Sequence, residues 1–289
     1  LIILLTAILY SGNSFSQTRI EKSFLKENYY DVIERLKEKE IKMPLNFIDY
    51  EYLALSYYYN NDYNNAYIYF NKLIELKDLS SNNIFYFAHC LKAIGEEDKS
   101  NIYLKKYYAS IGTNYDTYFE DLDAVKRLGD RFEVINIKKL NTEYSEIVSS
   151  YHDGFIYFSS SRPNKLAADI YKWNNQPFLD NYKMKKDSSV SSFNEINTDY
   201  HDGDVSINKI NDDVYFTSSK PNEKVFLKKD QIITTKIYRA TFDTGNLKST
   251  LLLPFNSSEY SCKNPFIDFK NNRLYFSSNK HGGFGGFDI

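Results

Sequence analysis

The sequence predicts an α + β multidomain chain: an N-terminal α-solenoid followed by an incomplete all-β propeller. Three observations carry this expectation. Small and bulky apolar residues recur every 34 positions through roughly 17–112. Apolar strands tipped with hydroxyls recur every 58–60 positions from Val134 onward. The chain opens on ten almost wholly apolar residues followed by small polar ones. With 289 residues there is room for two ordinary domains.

Leu1 to Tyr10 reads LIILLTAILY and is followed by SGNSFSQ. Ser14 and Ser16 fit the small-x-small rule of signal-peptide cleavage, so 1–16 is expected to be removed on export, with the cut before Gln17. The run is about half the ~20 residues that a membrane span needs, so no span is expected in the mature chain. No Met or basic residue precedes it, and a few N-terminal residues are expected to be missing. No cysteine lies near the cut, which argues against a lipid anchor there.

The helical stretch, 17–112, is clearest in YLALSYYYNNDYNNAYIYFNKLIEL. Ala54, Tyr57, Ala66, Phe70 and Leu73 shifted by 34 become Ala88, Leu91, Ser100, Leu104 and Tyr107. Shifted back, Val32 and Leu36 replace Ala66 and Phe70. A small residue lets paired helices approach and a bulky one fills the groove beside it. NNDY supplies the turn between helices. Two good repeats and one degenerate repeat are expected. Cys90 falls on an apolar helical face and reads as a small core residue. Residues 113–133, with YFEDLDAVKRLGDRF, read as a capping helix and linker covering the last repeat.

The β stretch, 134–289, contains GFIYFSSSR, DVYFTSSK and RLYFSSNK, centred on Phe158, Phe216 and Phe276. Each follows a polar turn and a lead-in, LNTEYSEIVSS, INTDYHDGDVSI or FNSSEYSCKNPFI. Each is followed by a second strand start, ADIYKW, TKIYRA or FDI. Strand-and-turn repeats of this length read as propeller blades. In this alignment NKHGGFGGFDI is a hairpin loop, and the chain is expected to stop inside a blade, truncated at its C-terminus.

The combination resembles exported OmpA-family proteins of the Bacteroidetes. The helical repeats resemble tetratricopeptide repeats. YFSSSRP…ADIY, YFTSSKP…KIYR and YFSSNKHGGFGGFDI resemble the WD-like propeller repeats also found in TolB. The resemblance implies a non-catalytic envelope scaffold, periplasmic and associated with the outer membrane. It also implies partner proteins bound through helices and propeller, and a peptidoglycan-binding OmpA-like domain absent from these residues. Some members serve type IX secretion and gliding. Two alternatives stand beside it: a propeller accompanying an exported hydrolase domain beyond Ile289, and a glycan-binding propeller.

Composition and motifs exclude more chemistry than they suggest. A net charge of -2 gives no reason to expect nucleic acid. Gly283 and Gly285 begin a G-x-G, but Asp288 stands where a dinucleotide fingerprint needs Gly, and no helix follows. YHDG occurs at 151–154 and 200–203, yet His152 and His201 lie at different distances from Phe158 and Phe216, so they do not form a repeated metal site. Asp199, Asp202 and Asp204 only partly resemble a calcium loop and lack its bidentate Glu; a weak surface site is the alternative to an Asx-rich turn. No G-x-S-x-G occurs. No catalytic, cofactor-binding or metal-ligating residue is predicted. Aromatics are abundant, with 27 Tyr and 21 Phe. Tyr57, Tyr58, Tyr63 and Tyr67 crowd one repeat and are the candidate protein-binding residues, the alternative being that they pack the repeats.

Overall fold

The computed structural model describes residues 18–116, 125, 127, 129, 131–164, 169–185, 189–221 and 233–289. The expected signal peptide, 1–16, and much of the expected connector, 113–133, lie outside these residues. The fold is mixed α + β, with six helices and several antiparallel sheets among the described residues. It divides into two units, one reaching to Glu133 with Lys172–Asn175 added, the other holding Val134–Tyr171 and Gln176–Ile289.

The first unit is helical: α1 (Arg19–Leu25), α2 (Tyr29–Lys42), α3 (Phe47–Tyr59), α4 (Tyr63–Leu76), α5 (Ser81–Ala93) and α6 (Glu97–Ser110). Caps explain several starts. Thr18, Asn46, Asp62 and Ser80 each accept a backbone N–H from three residues on, and Asn46 with Asp49 closes a capping box. The stops obey the 34-residue period. Glu27, Asn61 and Gly95 hold φ of 58°, 59° and 85°. The next amides, of Asn28, Asp62 and Glu96, each donate at 2.9 Å to the carbonyls of Ser23, Tyr57 and Leu91. These are Schellman turns, which satisfy carbonyls that a helix end would leave open; a fourth, at Gly112, closes α6 outside that period.

Small residues sit where neighbouring helices meet. Ala54, Ala66 and Ala88 are fully buried, and the Ser100 hydroxyl donates to the Ala88 carbonyl at 2.7 Å. Around them Leu36, Leu53, Phe70, Leu73 and Leu91 form the core. Cys90 is buried in it, and burial pushes its thiol up to about 12, so it is an unreactive packing residue. Trp173 belongs to this unit; its Nε1 donates to the Tyr59 carbonyl at 3.1 Å. No helix of the described residues is long and apolar enough to cross a membrane.

The second unit begins with a sheet of β1 (Glu146–His152), β2 (Phe155–Ser160), β5 (Asp180–Lys185) and β6 (Val190–Ser192), paired in that order. A separate hairpin, β3 (Ile170–Tyr171) with β4 (Gln176–Pro177), lies between β2 and β5 in the chain. The second sheet pairs β7 (Asp202–Ile207), β8 (Val214–Ser218), β9 (Lys236–Asp243) and β10 (Asn246–Leu252) in sequence. A third, two-stranded sheet holds β11 (Cys262–Asp268) and β12 (Arg273–Ser278).

The three leading hairpins share one register. Ser160, Ser218 and Ser278 lie opposite Glu146, Asp202 and Cys262. Each first strand carries an irregularity at the same place, between Val148/Ser150, Gly203/Ser206 and Lys263/Phe266. In the second and third hairpins it contains a left-handed residue, Asp204 (φ 47°) and Asn264 (φ 54°). These kinks meet the preceding sheet. Ser159 Oγ accepts the Asp204 amide at 3.3 Å, and Thr217 Oγ1 accepts the Asn264 amide at 3.2 Å. The lead-in asparagines recur too. Asn197 bonds both the amide and the carbonyl of Asn181, and Asn256 does the same to Ile237. Apolar residues of the first two sheets, among them Tyr157, Val205 and Phe216, share one core.

One sequence alignment needs correction. ADIYKW was matched to TKIYRA as the second strand start, but Ile170 and Tyr171 form the side hairpin. The strand equivalent to Lys236–Asp243 is Asp180–Lys185. Phe158 pairs with Tyr182 as Phe216 pairs with Tyr238. The reason is physical. DNYKMK buries Tyr182 and Met184 on one face but the polar Asn181 on the other, so its polar residues hide it beside an Ile-Tyr pair. The glycine-rich stretch turns back so that Asp288 bridges Ser278 antiparallel. A Cβ on Gly283 would lie 1.9 Å from Asp288 Oδ2, so a side chain there would displace that carboxylate.

Candidate functional site

The four candidate tyrosines lie on α3 and α4, which pack side by side through Ala54, Ala66 and Phe70. All four are half-buried against that core, and the structure does not gather them into one patch. Tyr57 stacks on Tyr69, centroids 5.6 Å apart and planes 5° apart, and burial pushes its phenol up to about 12. Tyr67 stacks on Phe87 at 5.9 Å and 7°. Tyr63 stands edge-on to Tyr58 at 5.7 Å, its hydroxyl donating to Asn61 Oδ1 at 2.9 Å. Each ring therefore contributes to helix packing, and only edges and hydroxyls are left to meet a partner.

Tyr58 is the member with a polar neighbourhood. Its hydroxyl lies 3.1 Å from His89 Nδ1, and its ring contacts Tyr59 and Tyr86. Tyr59 donates its hydroxyl to that of Tyr86 at 3.2 Å and stacks on Tyr29 at 4.8 Å. Burial, then the nearby Lys92 charge, holds the His89 imidazole below its ordinary value, so it is neutral near pH 7. The result is a half-buried aromatic strip from Tyr29 to His89 across α2, α3 and α5. Of the candidate tyrosines only Tyr58 belongs to this strip; Tyr86 and His89 were not among the candidates. One signal was available, since Tyr52 and Tyr86 lie 34 residues apart.

A second feature surrounds Glu40. Its carboxylate accepts Lys37 and Lys72 at 2.7 Å each and the Tyr69 hydroxyl at 2.9 Å. Burial works to raise this carboxyl, but the three hydrogen bonds outweigh it and hold it near 2. The Lys72 ammonium also sits over the Tyr69 ring at 4.8 Å. The group ties α2 to α4 and orients Tyr69 beneath Tyr57.

In the second unit the two YHDG histidines are far from equivalent. His152 ends β1 and pairs with Asp212 at 3.2 Å. His201 precedes β7, accepts the Leu179 amide at 3.1 Å and packs on Phe178; burial drives its imidazole down to about 4. Asp202 is buried and accepts the Thr198 amide at 2.5 Å, while Asp204 accepts from Asn264 at 2.9 Å. The acidic cluster thus spends two of its carboxylates on turn and sheet contacts. Among the described residues no three His, Cys, Asp or Glu side chains are grouped to hold a metal ion.

Comparison with protein-family models, with curated proteins and with solved structures finds no match for this chain.

Proposed function

We propose that this chain is a non-catalytic interaction scaffold of the bacterial envelope, with tetratricopeptide-like helical repeats followed by consecutive blades of a β-propeller. The observation that carries the reading is repetition without specialisation. Schellman turns recur every 34 residues in the helices. The same hairpin register, kink and hydroxyl-to-amide contact recur in successive sheets. Repeated positions serve architecture, whereas a catalytic group stands in one repeat only. Stacked repeats offer extended surfaces of rigid aromatic edges, which suits protein partners. The half-buried strip around Tyr58, Tyr59 and Tyr86 is the helical face assigned to them.

Export to the periplasm, association with the outer membrane and tethering to peptidoglycan through an OmpA-like domain are parts of the same proposal. They rest on the apolar N-terminus and on the family resemblance. The test is fractionation of a producing bacterium, with in-cell photo-crosslinking from position 58 of the full protein. The expected outcome is a periplasmic or outer-membrane fraction with discrete crosslinked protein adducts. A cytosolic protein, or one without adducts that turns over peptide or ester substrates, overturns the proposal.

A further inference from the structure

The hairpin turns of the second unit enclose a cleft of about 330 Å³ between the first two sheets. Its walls are aromatic: Phe155, Tyr157, Phe193 and Phe242, the last two stacked 5.9 Å apart. Its rim is polar. Asp153 comes from the β1–β2 turn, Asp212 from the β7–β8 turn, and Glu195 from the segment after β6. Thr244 and Gly245 of the β9–β10 turn close the fourth side, with φ of 48° and 84°. Four separate segments thus converge on one small space, which a cleft arising from loose packing would not require.

Charge and chemistry narrow what fits. Three carboxylates, of Asp153, Glu195 and Asp212, stand on the rim with one ammonium, Lys183, so acidic side chains predominate there. The Tyr157 side chain is only 9% exposed, yet its hydroxyl has no hydrogen-bond partner among the described residues. The hydroxyl opens on the cleft, where it can accept from a bound donor. The carboxylates of Asp153 and Asp212 make themselves felt at that hydroxyl: burial first, then these two charges, raise the phenol above its ordinary value. The aromatic wall already receives one cation, since Lys183 Nζ lies 4.9 Å above the Phe193 ring.

The geometry points to a binding site for an organic cation, an alkylammonium or guanidinium group, seated against Phe193 and Phe242, donating to Tyr157 and facing the carboxylates of Glu195 and Asp212. A neutral ligand would meet the same walls without compensating the rim charge. An anion would meet repulsion. The cation has two sources, a free small amine or the side chain of a peptide arginine or lysine. This inference does not depend on the scaffold reading.

Calorimetric titration of the full chain tests it with three probes: agmatine, N-acetyl-arginine methylamide and N-acetyl-citrulline methylamide, the neutral isostere. Binding of either cation at least about tenfold tighter than the citrulline compound supports the site, and the tighter of the two cations identifies the source. Glu195→Gln and Tyr157→Phe should each weaken the cation about threefold or more without lowering the melting temperature. Equal binding of the citrulline compound overturns the proposal. So does failure of both cations to bind at about 10 mM, or full affinity in both variants.

Discussion

The ring of Phe216 lies stacked on that of Tyr238 across β8 and β9, centroids 5.6 Å apart and planes 24° apart. Phe158 and Tyr182 repeat the arrangement in the preceding sheet at 5.6 Å and 23°. In both, the tyrosine hydroxyl donates to a loop carbonyl, of Lys220 or Arg162. The pair fixes which strand follows the hydroxyl-tipped one, and so fixes the register of each sheet.

Asn197 and Asn256 clamp the third strand of their sheets by bonding both sides of one peptide residue. Replacing either with Ala leaves the amide of Asn181 or Ile237 without its partner, while the carbonyl keeps the amide of Phe193 or Leu253. Asn256→Ala is expected to destabilise by about 1–3 kcal/mol. Asn256→Asp, which keeps the acceptor and loses the donor, should recover only part of the loss. Urea unfolding of the full chain measures both, and an unchanged midpoint for Asn256→Ala contradicts the clamp.

The repeated helix stops make opposite predictions at equivalent positions. Gly95 holds φ 85° with open space where a Cβ would stand, so Gly95→Ala costs only backbone strain, about 1 kcal/mol. Glu27 already bears that strain at φ 58°. Glu27→Gly should therefore gain up to about 1 kcal/mol despite the freer unfolded chain. Thermal unfolding reads both signs; a loss at both positions contradicts equivalent turns.

Burial shifts the neighbouring residues His201 and Asp202 in opposite directions. Burial raises the Asp202 carboxyl to about 7, above its unfolded value. Its contribution is therefore fully present below about pH 4 and lost as pH rises through about 7. Burial lowers His201 to about 4, so its contribution is present above about pH 6.5 and lost as pH falls through about 4. Asp202→Asn should consequently gain stability relative to the parent between pH 4 and 8, by a few kcal/mol at most. A difference between variant and parent that does not change with pH contradicts this.

The helical periodicity was legible because packing dictates it: Ala54, Ala88, Phe70 and Leu104 are buried for the reason their spacing suggests. The hydroxyl-tipped strands were legible for the same reason, since Phe158 and Phe216 fill the sheets' buried faces. What local pattern could not reveal was the β3–β4 insertion. Ile170 and Tyr171 look more strand-like than Asn181 and Tyr182, and only long-range pairing decides between them. The cleft escaped for a similar cause. Asp153, Glu195 and Asp212 are scattered turn residues in sequence and meet only after the sheets pack. Tyr57, Tyr58, Tyr63 and Tyr67 were singled out by their density along the sequence, which does not tell which of their edges packing covers.

The register is tested most directly by double-mutant cycles of unfolding free energy pairing Phe158 with Tyr182 and, separately, with Tyr171. The expected coupling for Phe158 and Tyr182 is about 0.5–1.5 kcal/mol, matched by Phe216 with Tyr238, and none is expected for Tyr171. Coupling of Phe158 to Tyr171, with none to Tyr182, would contradict the repeated β-module.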